Sequence, residues 1–199
     1  MRLADFIDAN TPAILAEWEL FASSLLPAAA QMDAAALRDD AQQILQAVAK
    51  DLRTPQTRVE QSAKSKGRTP MLPRATETAA QTHGRLRAKG GFTIRQLVSE
   101  FRALRASVLR LWGDAGAHGP DAMEDTGRFN EAIDQAITES VDYFTSEVDR
   151  WRAIFLGVLG HDLRGPLNAV LLTSHVISAS SAGTAVSSTR RSSCAAASA

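Results

Sequence analysis

The residues with the clearest chemical capacity lie side by side: His161 and Asp162, followed by Arg164, Gly165 and Pro166. An imidazole is a nucleophile near neutral pH. A carboxylate next to it can accept the Nδ1 proton and leave the Nε2 lone pair ready for attack. Such a pair suits capture of a phosphoryl group. Pro166 has no N–H, so a helix passing through it loses one backbone bond and is expected to bend, exposing the ring just before the bend. The other histidines offer less. His118 lies in a glycine-rich turn with no second ligand at sensible spacing, and His175 is expected on a polar surface. His83 falls in a helix near Arg85 and Arg87 and is expected to make a structural hydrogen bond. None of them has the partner pattern of a haem or metal ligand. The sole cysteine, Cys194, supports neither an internal disulfide nor a metal cluster.

The elements that must position these groups are read as helices. Alanine, leucine, glutamine and arginine are plentiful, and no stretch alternates with period two, so the chain is expected to be all-α. Thr11-Pro12 is expected to open a helix through about Ala22, carrying Ile14, Leu15, Trp18 and Phe21. Asp33 precedes a second, with Leu37, Ile44, Leu45, Val48 and Leu52 at helical spacing. Thr54-Pro55 repeats the cap-plus-proline signal, and the polar run from about Ser62 to Pro73, holding Gly67 and Pro70, reads as a loop. A short helix over about Thr76–Ala88 ends at Gly90-Gly91. Thr93 then caps an amphipathic helix bearing Ile94, Leu97, Val98, Phe101, Leu104, Val108, Leu111 and Trp112. The arginines from Arg85 to Arg110, among them Arg95, Arg102 and Arg105, offer either an anion site or a solvated helix face, and the solvated face is expected.

From Pro120 or Asp121 a much longer helix is expected. Phe129, Ile133, Ile137, Val141, Phe144, Val148, Trp151, Phe155 and Val158 follow one another in steps of three and four, tending toward the spacing of a two-helix seam. Up to about Asp142 this stripe is expected to pack on its own domain. Beyond it, pairing between chains is expected. Lysine plus arginine and aspartate plus glutamate both total 22, a balance unlike that of a non-specific nucleic-acid binder. The N-terminus lacks a signal-peptide core and no apolar run is long enough for a membrane helix, so a cytoplasmic protein is expected.

The string FLGVLGHDLRGPLNAV, Phe155–Val170, resembles the H-box of two-component sensor histidine kinases. The resemblance implies that His161 is the phospho-acceptor and Asp162 the general base. It gives Arg164 and Pro166 roles in shaping the helix and its contact with a catalytic domain or response regulator. Gly165 stands where that family often has a threonine or asparagine tied to dephosphorylation, which puts phosphatase action in doubt. The resemblance also implies a homodimer, a cognate response regulator and an ATP-binding kinase domain. No asparagine box, glycine-rich lid or P-loop occurs in the 199 residues, so ATP and Mg would be held by a domain acting in trans, and this chain has no cofactor of its own. The expectation is either that it receives phosphate from a separate kinase or that it is a truncated product.

The front part resembles a second family. HGRLRAKGGFTIRQLVSEFRALRASVLRLW, His83–Trp112, and ILAEW, Ile14–Trp18, are similar to the N-terminal helical sensory domain of stressosome (Rsb-type) regulators and some soluble kinases. Some of those relatives have a globin-like fold without haem. Two domains are therefore expected, a helical sensory bundle over 1–150 and a partial dimerisation and phospho-acceptor segment over 151–199. The serine- and alanine-rich tail after Leu172 is either a hairpin with a turn near Ala182-Gly183 or a disordered or out-of-frame terminus, and the hairpin is expected. Two functions follow: the input and acceptor part of a phosphorelay kinase, or a non-catalytic regulatory module of stressosome type.

Overall fold

The computed structural model describes residues 1–24, 34–65, 77–116 and 119–196. Among them are six helices and no strand: α1 (Leu3–Ser23), α2 (Ala34–Arg53), α3 (Arg58–Ser65), α4 (Ala79–Lys89), α5 (Ile94–Asp114) and α6 (Ala122–Ala196). The chain divides into two units, Met1–Asp149 and Arg150–Ala199. The all-α expectation is met. Asp33, Gly67, Pro70, Pro73, Thr76 and His118, which figured in the sequence reading, lie outside the described residues.

In the first unit α1 packs on α2 and α5, and α2 on α4. The core is built from the stripes that sequence spacing implies: Ile14, Leu15 and Trp18 of α1, Ile44, Leu45 and Val48 of α2, and Leu97, Phe101, Leu104 and Val108 of α5. Two helix starts are fixed by capping boxes. Thr78 and Gln81 satisfy each other's backbone N–H groups at the head of α4, and Thr93 and Gln96 do the same for α5. Gly91 sits at φ 74° between them, a left-handed position that a side chain rarely adopts.

Three boundaries differ from expectation. α1 starts at Leu3, with Pro12 inside it. Leu3, Phe6 and Ile7 are buried, and at roughly 1.5–3 kcal/mol each their burial exceeds the roughly 3 kcal/mol that an internal proline costs. Thr11 consequently does not cap; its hydroxyl donates to the Ile7 carbonyl at 2.7 Å. α3 begins after Thr57 rather than at Thr54-Pro55, because Thr57 and Glu60 form the capping pair, with Thr57 N–H donating to Glu60 Oε2 at 2.7 Å. The same helix carries on to Ser65, so Ser62–Ser65 are helical rather than loop.

α6 enters the first unit through Asp125. Arg2 caps α1 with no side-chain bond, and the free Leu3 N–H is taken by Asp125 Oδ2 at 2.9 Å. The Arg2 guanidinium grips the same carboxylate at 2.6 Å, and this hydrogen bond raises its pKa further. Arg128 donates to the Asp51 and Thr54 carbonyls, both at 2.7 Å, closing the C-terminal end of α2. Phe129, Ile133 and Phe144 are buried, with Ile137, Val141 and Val148 packed against the core. The stripe thus serves its own domain past Asp142, as far as Val148.

In the second unit α6 is the single described element. Trp151, Phe155 and Val158 are exposed there, as are Leu163, Leu167, Val170 and Val176. Pro166 lies inside the helix. The turn expected near Ala182-Gly183 is absent, because α6 continues to Ala196. One glycine costs a helix only about 1 kcal/mol, and alanine-rich flanks without proline offset it.

Candidate functional site

His161 and Asp162 are adjacent on α6, and their side chains meet: His161 Nδ1 lies 3.2 Å from Asp162 Oδ1. A carboxylate that accepts the Nδ1 proton leaves Nε2 as the free lone pair. Their side chains are 83% and 69% exposed, so an incoming group can reach the ring. Arg164 and Pro166 follow on the same helix and are also exposed. Gly165 has open space where a Cβ would stand. His175 is exposed, in keeping with its reading as a surface residue.

His83 is placed quite differently, and sequence reasoning caught only part of its setting. It is buried in the first unit with Nε2 3.0 Å from Glu100 Oε2 and Nδ1 3.9 Å from Asp40 Oδ2. Neither nitrogen is aligned for a well-formed hydrogen bond. The Phe101 ring meets it edge-on, with centroids 5.3 Å apart. Arg87, one helical turn on, is wholly buried. Its Nε donates to Glu100 at 2.8 and 3.0 Å, its Nη1 reaches Asp40 at 3.4 Å, and its guanidinium carbon stands 5.2 Å from the Phe92 ring centroid. Burial alone pushes the Glu100 carboxyl up, but the close approach of His83, followed by Arg87, holds it below the ordinary range.

Asp40 and Glu100 were not singled out in the sequence, and Arg87 fell among the arginines read as a solvated face. The available signal was spacing: His83 and Arg87 share one face of α4 four residues apart, and Glu100 adjoins Phe101 on the apolar face of α5. Of the arginines assigned to solvent, Arg95 and Arg102 are exposed, whereas Arg105 pairs with Asp134 and Arg110 with Glu17 and Asp114. That bond to Arg110 holds the Glu17 carboxyl below its usual range.

No described helix is long and apolar enough to cross a membrane. No curated protein and no solved structure matches the chain. The family model described as the RsbT co-antagonist protein RsbRD N-terminal domain matches residues 12–154, spanning the helices that bury the His83 cluster and ending before His161. The match covers well over half of the sequence, and the chain belongs to the RsbRD N-terminal domain family.

Proposed function

We propose that this chain is a non-catalytic regulatory module of stressosome type, in which the helical domain, residues 1–150, is an interaction domain for a partner of the RsbT class in the cytoplasm. The observation that carries this reading is the family match over residues 12–154. The domain's ionisable interior supports it. Asp40, His83, Arg87 and Glu100 are turned on one another in the core rather than toward a substrate, a use of charge that serves packing. Mixing the purified chain with RsbT and measuring mass by light scattering tests it. A complex heavier than either component is expected, and two unchanged masses would count against it.

A second reading concerns residues 151–199 and is favoured by the exposed His161–Asp162 pair, 3.2 Å apart. Here His161 accepts phosphate from a kinase domain supplied in trans, which holds ATP and Mg, and passes it to a response regulator. Asp162 keeps the Nδ1 proton, Nε2 attacks the γ-phosphorus, and ADP leaves as the N–P bond forms. Arg164 and Pro166 shape the surface on which those partners dock, and the exposed apolar side chains from Trp151 onward pair with a second copy. Incubation with ATP and an intact kinase of this class should label wild type and not His161→Ala. Equal labelling, or none in either, would remove the acceptor role and leave the regulatory one intact.

A further inference from the structure

Beyond Trp151 the apolar side chains of α6 do not keep to one side of the helix. Ile154, Phe155 and Val158 form a first face, and all three are exposed. Leu163, Leu167 and Leu171 form a second, also exposed, in steps of four. Leu163 follows Ile154 by nine residues, and Leu167 follows Val158 by nine. At about 3.6 residues per turn, nine residues make about two and a half turns, so the second face stands across the helix from the first.

The change of side falls at the polar pair. His161 lies two turns beyond Ile154 and Asp162 one turn beyond Val158, so the first face ends in polar groups and the second begins opposite them. Pro166 lies inside the helix, and a proline bend tilts the axis without turning one side onto the other. A single helical neighbour covers a single stripe. It would leave the other face in water, an apolar surface that soluble chains rarely leave uncovered. α6 is the single described element of its unit, so no other described element there covers either face. Neither group of three contains a charge, and each therefore complements a copy of itself, as a two-fold contact between identical chains requires.

We propose that α6 joins four copies of this chain as a dimer of dimers, one two-fold contact closing over Ile154, Phe155 and Val158 and the other over Leu163, Leu167 and Leu171. The inference rests on the pairing between copies in the second reading and extends it from one neighbour to two. Two separate self-complementary faces on one chain close at four copies, the commonest closed symmetry after the simple two-fold dimer. A pair of chains would use one face and leave the other open. The two faces lie at different levels of the helix, before and after His161, so neither obstructs the contact made by the other.

Light scattering on the full chain over a range of concentrations tests it, with helix content followed by circular dichroism. Wild type should reach four times the mass of one chain. Val158→Glu and Leu167→Glu each disable one face, and each should halve that mass. A wild type of two copies at every concentration would overturn the proposal while leaving the pairing between copies in place. A wild type of one copy would remove both. Either variant keeping the fourfold mass would show that its face is idle and would overturn the proposal, as would a single variant that falls to one copy. Should a glutamate variant lose helix content, Val158→Ala and Leu167→Ala favour the helix and should give the same halving at low concentration. An unchanged fourfold mass there would equally overturn it.

Discussion

Glu100 is the residue on which the core's polar contacts converge, since His83, Arg87 and, through its carbonyl, Trp18 all meet it. Burial opposes its ionisation, and the proximity of His83 together with the hydrogen bonds and charge of Arg87 overcomes that opposition. A carboxyl whose pKa is depressed by folding contributes stability above its unfolded value. That stability is lost as pH falls through the folded one. Denaturant unfolding should therefore show wild type weakening below about pH 4.5, the ordinary carboxyl value, with a smaller acid limb in Glu100→Ala. At neutral pH the same substitution takes the closer of two carboxylates, Glu100 rather than Asp40, from buried Arg87 and should cost about 3–5 kcal/mol. Gly84 is a second position with little tolerance. A Cβ there would stand 2.9 Å from Ser140 Cα and closer still to its carbonyl oxygen, both backbone atoms that cannot rotate away. Gly84→Ala should lose about 1–3 kcal/mol or more in thermal melts. Gly127→Ala, with open space around it in α6, should gain about 0.5–1 kcal/mol.

Helices reveal how much of this protein was legible from its letters. The stripes of α2 and α5 were readable because Leu, Ile, Val and Phe recur every three or four residues, and Thr93 stood at the right distance ahead of α5 to cap it. α1 was misjudged at its start because a local rule, proline at the first helical position, pointed one way and the buried triplet Leu3, Phe6 and Ile7 the other. Tertiary burial decided. Pro12→Ala should therefore stabilise the domain by about 1 kcal/mol or more in denaturant titrations, since it restores an N–H to the helix interior. The charged cluster was illegible for a related reason: its members come from three helices, and nothing in one helix announces that another brings an opposite charge to the same point. His161 and Asp162 were readable as a pair because they are neighbours in sequence. Their contact needs no tertiary structure.

Across the chain, the family match and the core belong to the same stretch. Residues 12–154 contain α2 to α5 whole, most of α1, and the part of α6 that is buried. A run of exposed apolar residues extends from Trp151 to Ile177 on a helix with no second described element in its unit. The sequence placed a boundary near residue 150 on the strength of two resemblances, and it read the front one as sensory and the rear one as an acceptor. The front resemblance is the one that the family comparison supports. The helical domain is accordingly the part proposed to recognise an RsbT-type partner. Isothermal titration of RsbT into the full chain is its most direct test. Saturable binding is expected, with His161→Ala binding as wild type does because the interaction belongs to the domain before it. Absence of binding by the folded chain would contradict the claim.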